Sequence, residues 1–323
     1  TMLPAPVWMP HPSGPSFSRG SDGSTTTALR SVAIAWVAKH DWPNQRESVP
    51  ESSAPGSAHA PPTGETRPMH ADLASLFDLS GRTAIVTGGS RGLGRAMALG
   101  FAKAGANVAI ASRKLDACQA VVAEVEALGG SGLAVATRMQ EPDDVAALVA
   151  ATVERFGGID IVVNNAATVL DRPLDGVEPS TFVGAFTTNL MAPMLLVQAA
   201  RPHLAAGGHG AVLNIISIAA DRATPDRYYY PPVKAALAQV TRSMARDLAG
   251  DQIRVNAISP GTFRTDMVTK AFDDRVLDAV ARSTPAGRIG DPDELVGPAL
   301  MLCSDAGSFV TGVVLTVDGG ATA

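Results

Sequence analysis

Residues 83–94 read TAIVTGGSRGLG, and this stretch decides the fold. Thr83 to Thr87 is a short run of apolar and β-branched residues, the composition of a strand buried on both faces. It passes directly into a glycine-rich turn, behind which apolar residues recur at helical spacing. In such a strand–turn–helix unit Gly88 lets the chain turn, Gly92 lets the backbone approach a pyrophosphate, and Gly94 lets the helix pack on the sheet. Ser90, Arg91 and Leu93 complete the turn, and the helix N-terminus offers free N–H groups and partial positive charge to phosphates. The unit reads as a dinucleotide site. An acidic residue at the end of the second strand would hold the ribose of NAD(H). This chain has Ser112 there with two cations, Arg113 and Lys114, suited to a 2′-phosphate, so NADP(H) is favoured over NAD(H). Asp116 falls within the following helix, as a first-turn carboxylate facing solvent.

Beyond this unit, β-branched runs alternate with helical periods. The pattern predicts helices Arg91–Ala104 and Lys114–Leu128, the second stopped by Gly129 and Gly130, and a helix from Pro142. A long apolar helix Thr181–Leu204 and a helix Pro231–Ala249 follow. Strands are predicted at Asn107–Ala111, Gly132–Thr137, Ile159–Asn164, Ala211–Ile216, Ile253–Ile258 and Val313–Val317. Repeated βαβ units joined by right-handed crossovers make an α/β fold: a single doubly wound Rossmann-type parallel sheet with helices on both faces.

The 323 residues divide unevenly. Residues 1–69 hold 11 of the 23 prolines and all three tryptophans, but only 8 Leu, Ile, Val and Phe. Such a segment lacks the apolar residues for its own core, so residues 1–77 are expected to be a Pro/Ser-rich and largely disordered extension. Within it, Ala28–His40 has the pattern of one short helix. The catalytic domain is expected at 78–323. A net charge of −5 and a pI near 5.7 argue against a nucleic-acid partner. The longest apolar run near the start, Val32–Ala38, is too short to span a bilayer, and no membrane partner is expected. Cys118 and Cys303 stand far apart, which excludes a disulfide scaffold and thiolate zinc motifs and fits a reducing cytoplasm. His203 and His209 have no carboxylate at ligand spacing, so no metal site is expected.

All three tyrosines are consecutive, and only Tyr230 has a lysine four residues on, Lys234. At that spacing the two side chains share a helix face, and an ammonium beside a phenol favours the phenolate. Such a tyrosine is a usable acid or base near neutrality, the group hydride transfer to a carbonyl requires. Ser217 closes the strand Ala211–Ile216, where a hydroxyl is placed to hold a developing oxyanion. Asn189 lies in the apolar helix Thr181–Leu204, where a buried amide needs a partner, structural or in a proton relay.

Taken jointly, these residues resemble the short-chain dehydrogenase/reductase family from about Leu79 to Gly320. The matching pieces are TGGSRGLG (87–94), NNAA (164–167), Asn189, Ser217 with Tyr230 and Lys234, PGTFRT (260–265), GRIGDPDE (287–294) and TGVVLTVDGG (311–320). The resemblance implies an NAD(P)-dependent oxidoreductase with Tyr230 as general acid/base. Lys234 would lower its pKa and hold the nicotinamide ribose, Ser217 would orient the substrate oxygen, and Asn189 would fix a water linking Lys234 to solvent. It also implies that Asn165, Gly261 and Thr262 contact the cofactor, and that the chain forms a homotetramer or dimer. Four positions depart from the family pattern: Ala167 for glycine, Arg138 for an Asp that contacts adenine, Ile216 for serine, and Pro231-Pro232 within Tyr-Pro-Pro-Val-Lys. With Arg138 in place, the backbone of Met139 is left as the adenine-side contact. The prolines force the Tyr–Lys helix to begin abruptly, which a first turn tolerates.

The expected activity is interconversion of a small-molecule carbonyl and a secondary alcohol. Alternatives are an SDR-fold cofactor-binding protein with reduced or lost catalysis, motivated by Arg138 and the double proline, and an enoyl-thioester reductase. The substrate wall is expected from Thr168–Asp175, Ala219–Arg227 and the loop and helix Phe263–Thr284.

Overall fold

The structure, a computed structural model, describes residues 70–170, 172–223 and 225–323. The readings of residues 1–69, including the helix at 28–40, lie outside the described residues. A five-residue helix α1 (Ala71–Ser75) opens the described chain, and the Leu76 carbonyl just after it accepts the Ala306 N–H at 2.9 Å.

Seven strands form one all-parallel sheet in the order β3-β2-β1-β4-β5-β6-β7. They are β1 (Thr83–Thr87), β2 (Asn107–Ser112), β3 (Gly132–Ala136), β4 (Ile161–Asn164), β5 (Ala211–Ile215), β6 (Arg254–Pro260) and β7 (Val314–Val317). The order reverses between β1 and β4, so a crevice opens at their carboxyl ends. Successive residues of β1 point to opposite faces and feed two cores: Ala84 and Val86 join one, Ile85 the other. On the first face lie α2 (Gly92–Lys103), α3 (Leu115–Ala127) and, late in the chain, α10 (Val296–Cys303), contributing Phe101, Val121 and Leu302. On the second lie α4 (Pro142–Phe156), α6 (Ala192–Ala206) and α7 (Tyr230–Asp247), contributing Leu148, Leu196 and Ala245.

Most predicted elements appear within a residue or two of their expected ends. The helix expected as one piece over Thr181–Leu204 is instead α5 (Pro179–Phe186), a wide π turn at Thr187–Met191, and α6. Pro193, four residues beyond Asn189, lacks the N–H that would satisfy the Asn189 carbonyl in a regular helix, and the turn opens so that Ala192 donates to Thr187. The combined stretch Pro179–Ala206 is long and apolar enough to cross a membrane, yet its Leu196, Ala200 and Leu204 are fully buried in the sheet-facing core. Helix α10 has no counterpart in the sequence reading, because Gly297 and Pro298 in its first turn mask the helical pattern. The segment Phe263–Thr284 folds as α8 (Asp266–Ala271), which buries none of its residues, and α9 (Asp274–Ser283), which buries Val276 and Leu277.

Candidate active site

Every predicted site residue lies beyond the carboxyl end of a strand or on a helix that begins there. After β1, Gly88 and Gly92 adopt φ of +63° and +55°, conformations that glycine reaches without strain. Gly94 serves closeness instead: a Cβ there would lie 2.4 Å from both Asn165 Nδ2 and the Gly88 carbonyl. Asn165 itself is part of the cradle. Its side-chain amide donates to the carbonyls of Thr87 at 2.9 Å and Gly88 at 3.2 Å, and its N–H donates to Thr87 Oγ1. Thr87 Oγ1 also accepts from Ala166 and donates to Val163, so this hydroxyl binds the ends of β1 and β4 together. The sequence reading missed Thr87, because a threonine in a strand announces no such role.

Arg91 is the exposed N-cap residue of α2; the Lys270 hydrogen bond, with Arg91's charge as a lesser contribution, holds the Asp266 carboxyl below its usual range. Thr265 covers the same turn, its Cγ2 lying 3.3 Å from a Cβ built on Gly92. The glycine turn after β1 is thus faced by the segment after β6. At the end of β2, Arg113 and Lys114 are exposed, and Asp116 sits exposed in the first turn of α3. Beyond β3, Arg138 closes onto α4: its Nε lies 3.0 Å from Asp144 and its N–H donates to the same carboxylate at 2.9 Å. Met139 is buried in the second core, and Gln140 Nε2 donates to Thr188 Oγ1 at 3.0 Å, linking this loop to the π turn. After β6, Gly261 is pressed against Asp318, whose Cα would be 2.7 Å from a Cβ at 261, while the Thr262 carbonyl accepts the Gly290 N–H.

The double proline leaves the Tyr–Lys helix intact. Helix α7 begins at Tyr230 with Pro231 and Pro232 in its first turn, where no intrahelical N–H bond is lost. Lys234 is 2 % exposed; its Nζ lies 5.6 Å from the Tyr230 ring centroid and donates to the Ile215 carbonyl at 2.7 Å. Burial pushes its pKa down to about 7. The bond ties the lysine to the end of β5, two residues before Ser217. Ser217 is extended and caps the 3₁₀ turn Ile218–Asp221, its Oγ accepting from Ala219 N at 3.1 Å. Deeper in the fold, Asn164 donates to Asn214, and Asn214 to Thr241, each at 2.9 Å, which pins α7 to β4 and β5. Asn189 is fully buried, and its amide donates to the carbonyls of Thr168 at 3.0 Å and Ala185 at 2.8 Å while its Oδ1 accepts from Thr168 N. Its side chain therefore holds the loop after β4, while Pro193 withholds the N–H that a regular helix would give its main-chain carbonyl. Tyr229, missed from sequence, is fully buried and bonds the loop before α5.

The family model described as enoyl-(acyl carrier protein) reductase matches residues 88–322. The chain belongs to the short-chain dehydrogenase/reductase family. Among its relatives is the 7alpha-hydroxysteroid dehydrogenase of Escherichia coli (strain K12), 35% identical over 242 residues, which span 75% of this chain and 94% of that one. A solved 7α-hydroxysteroid dehydrogenase complexed with NADH and 7-oxo glycochenodeoxycholic acid superposes with a TM-score of 0.75 at 34% identity, covering 78% of this chain and 98% of the other. A gluconate 5-dehydrogenase from Burkholderia cenocepacia J2315, in complex with NADP and tartrate, gives 0.73 at 35% identity over 77% and 98%. With named dehydrogenases at this similarity along the whole sheet, this member of the family is an oxidoreductase acting on alcohols and carbonyls.

Proposed function

We propose that this short-chain dehydrogenase/reductase is an NADP(H)-dependent enzyme that interconverts a small-molecule carbonyl and its secondary alcohol, with Tyr230 as general acid/base. The observation that carries the reading is the placement of Lys234, buried on the face of α7 that carries Tyr230 and bonded to the end of β5 beside Ser217.

The residues present suit a dinucleotide. Gly88, Ser90, Arg91, Gly92, Leu93 and Gly94 would hold the pyrophosphate at the α2 N-terminus, with Asn165 bracing the turn. Arg113 would hold the 2′-phosphate with Arg91, Met139 would supply backbone beside the adenine, and Gly261 and Thr262 would flank the nicotinamide with Tyr230 and Lys234. The exposed cations after β2, with no carboxylate at that strand end, favour NADP(H) over NAD(H). When bound, the cofactor supplies or accepts the hydride at the reacting carbon. In reduction the Tyr230 hydroxyl delivers its proton to the carbonyl oxygen, and Ser217 Oγ donates a hydrogen bond to that oxygen. In oxidation both transfers reverse. Protonated Lys234 would favour the phenolate that remains, and the Asn189 carbonyl, from which Pro193 withholds a helical N–H, would hold a water that returns the proton. Exposed Val177, Phe182, Val183, Phe186, Met191 and Met194 along and before α5 and α6 support a homo-oligomer.

Paired titrations with NADPH and NADH, followed by a screen against a ketogluconate, a 7-oxo bile salt, a 3-oxoacyl thioester and a 2-enoyl thioester, test the reading. Tighter binding of NADPH with reduction of a ketone is expected. Consumption of the enoyl thioester alone makes the chain an enoyl reductase, and binding without turnover makes it a cofactor-binding protein.

A further inference from the structure

Three consecutive tyrosines meet three different environments: Tyr228 is 42% exposed, Tyr230 begins α7, and Tyr229 between them is entirely buried. The Tyr229 side chain leaves α7 and reaches the segment between β4 and α5. Its Oη accepts the N–H of Glu178 at 2.7 Å and lies 3.5 Å from the Gly176 carbonyl. Glu178 is the N-cap residue of α5, and the Tyr229 ring packs against Phe182 in the first turns of that helix, 6.1 Å between centroids. A second tie lies nearby: Arg172 and Arg227 form a parallel backbone bridge between the same two segments. The start of the β4–α5 segment is held independently, Thr168 being gripped by both ends of the Asn189 amide.

We propose that Tyr229 is a positioning residue for the substrate wall: its hydroxyl staples residues 172–178 to the turn from which Tyr230 projects. The proposal rests on the reading of Tyr230 as the acid/base. Phenylalanine would fill the same space and keep the Phe182 contact, so the hydroxyl is what needs explaining. A buried hydroxyl loses its water and is kept only where protein groups replace it. Here the groups it binds belong to the loop that rises from the carboxyl end of β4, next in the sheet to β5, which ends at Ile215, two residues before Ser217. With the staple made, the wall and the acid/base move as one body, and a substrate meets a formed pocket. Without it, each binding event has to order the loop, and that cost falls on substrate affinity and not on the chemical step.

The test uses the full chain and its Tyr229→Phe variant, with NADPH and the panel ketone the unmodified protein reduces best. KM for the ketone rises about fivefold or more while kcat, its pH profile and the NADPH Kd stay within about twofold. Amide exchange at Glu178 quickens about tenfold, with Thr83–Thr87 unchanged. A KM within twofold of the unmodified protein overturns the proposal, as does a rise in KM accompanied by loss of kcat, cofactor affinity and melting temperature. Exchange in the unmodified chain decides without any variant: an unprotected Glu178 amide means that the staple does not exist. Loss of turnover in Tyr230→Phe with Glu178 still protected separates the two residues. An unmodified chain that reduces no ketone overturns the reading of Tyr230, and this proposal with it.

Discussion

The Lys234 ammonium, 2 % exposed, makes its hydrogen bond to a main-chain carbonyl, that of Ile215. A carbonyl accepts the proton but carries no full charge to offset burial, and the lysine pKa falls to about 7. The unfolded chain, with an ordinary lysine, then binds more protons than the native one between about pH 7 and pH 10.4. Stability from this group therefore rises with pH across that window and is flat below it. Denaturant unfolding at several pH values measures the effect. Lys234→Met removes this part of the pH dependence, on the order of 5 kcal/mol across the full window.

Tyr230→Phe keeps the ring and removes the proposed proton donor. Carbonyl reduction falls by about 10²–10⁴-fold, while NADPH affinity changes little. A rate of carbonyl reduction unchanged in Tyr230→Phe places the acid/base elsewhere.

Gly94→Ala puts a methyl group 2.4 Å from Asn165 Nδ2 and from the Gly88 carbonyl. Neither neighbour is a flexible side-chain end: the amide is bonded to two carbonyls and the other atom is backbone. The glycine turn has to move, at a cost of about 1–3 kcal/mol in stability. Dinucleotide affinity falls further than the melting temperature alone accounts for, as cofactor titration against a thermal scan shows.

Arg113→Asp exchanges an exposed cation at the end of β2 for the carboxylate that suits a free ribose. NADPH binding weakens by about 10–100-fold, the loss of a charge-assisted contact, and NADH binding holds or improves. An NADPH preference left unchanged by the substitution would show that the 2′-phosphate is held elsewhere.

Asn189→Ala strips three hydrogen bonds from a fully buried position and leaves the Thr168 backbone unpaired. Chemical denaturation should show a loss of about 2 kcal/mol or more. Asn189→Asp, which keeps the acceptor and the volume, separates loss of the Thr168 N–H contact from loss of the donated bonds.

The doubly wound sheet was legible from sequence because its signal is local and repeated. A buried parallel strand needs a run such as Ala84-Ile85-Val86, and a phosphate turn needs glycine where φ is positive, as at Gly88 and Gly92. The Tyr230–Lys234 pair was legible for the same reason, since a spacing of four fixes a shared helix face whatever surrounds it. What lay beyond reach depended on partners distant in the chain. Nothing local marks Tyr229 as the acceptor for Glu178, or Gly94 as the seat of the Asn165 amide. The π turn at Asn189 needed Pro193 to be recognised as the withheld donor of a particular carbonyl inside an otherwise regular apolar helix.

The sequence by itself determined which backbone conformations are cheap and which side chains share a face, and from these came the order of strands and helices and the chemistry of the candidate residues. Only the tertiary structure decided how those residues are held: Lys234 stripped of water against Ile215, Asn189 turned to Thr168, and Arg138 closed onto Asp144. Propensity and periodicity act within a few residues, whereas burial and hydrogen-bond satisfaction are settled by whichever groups the finished fold brings within about 3 Å.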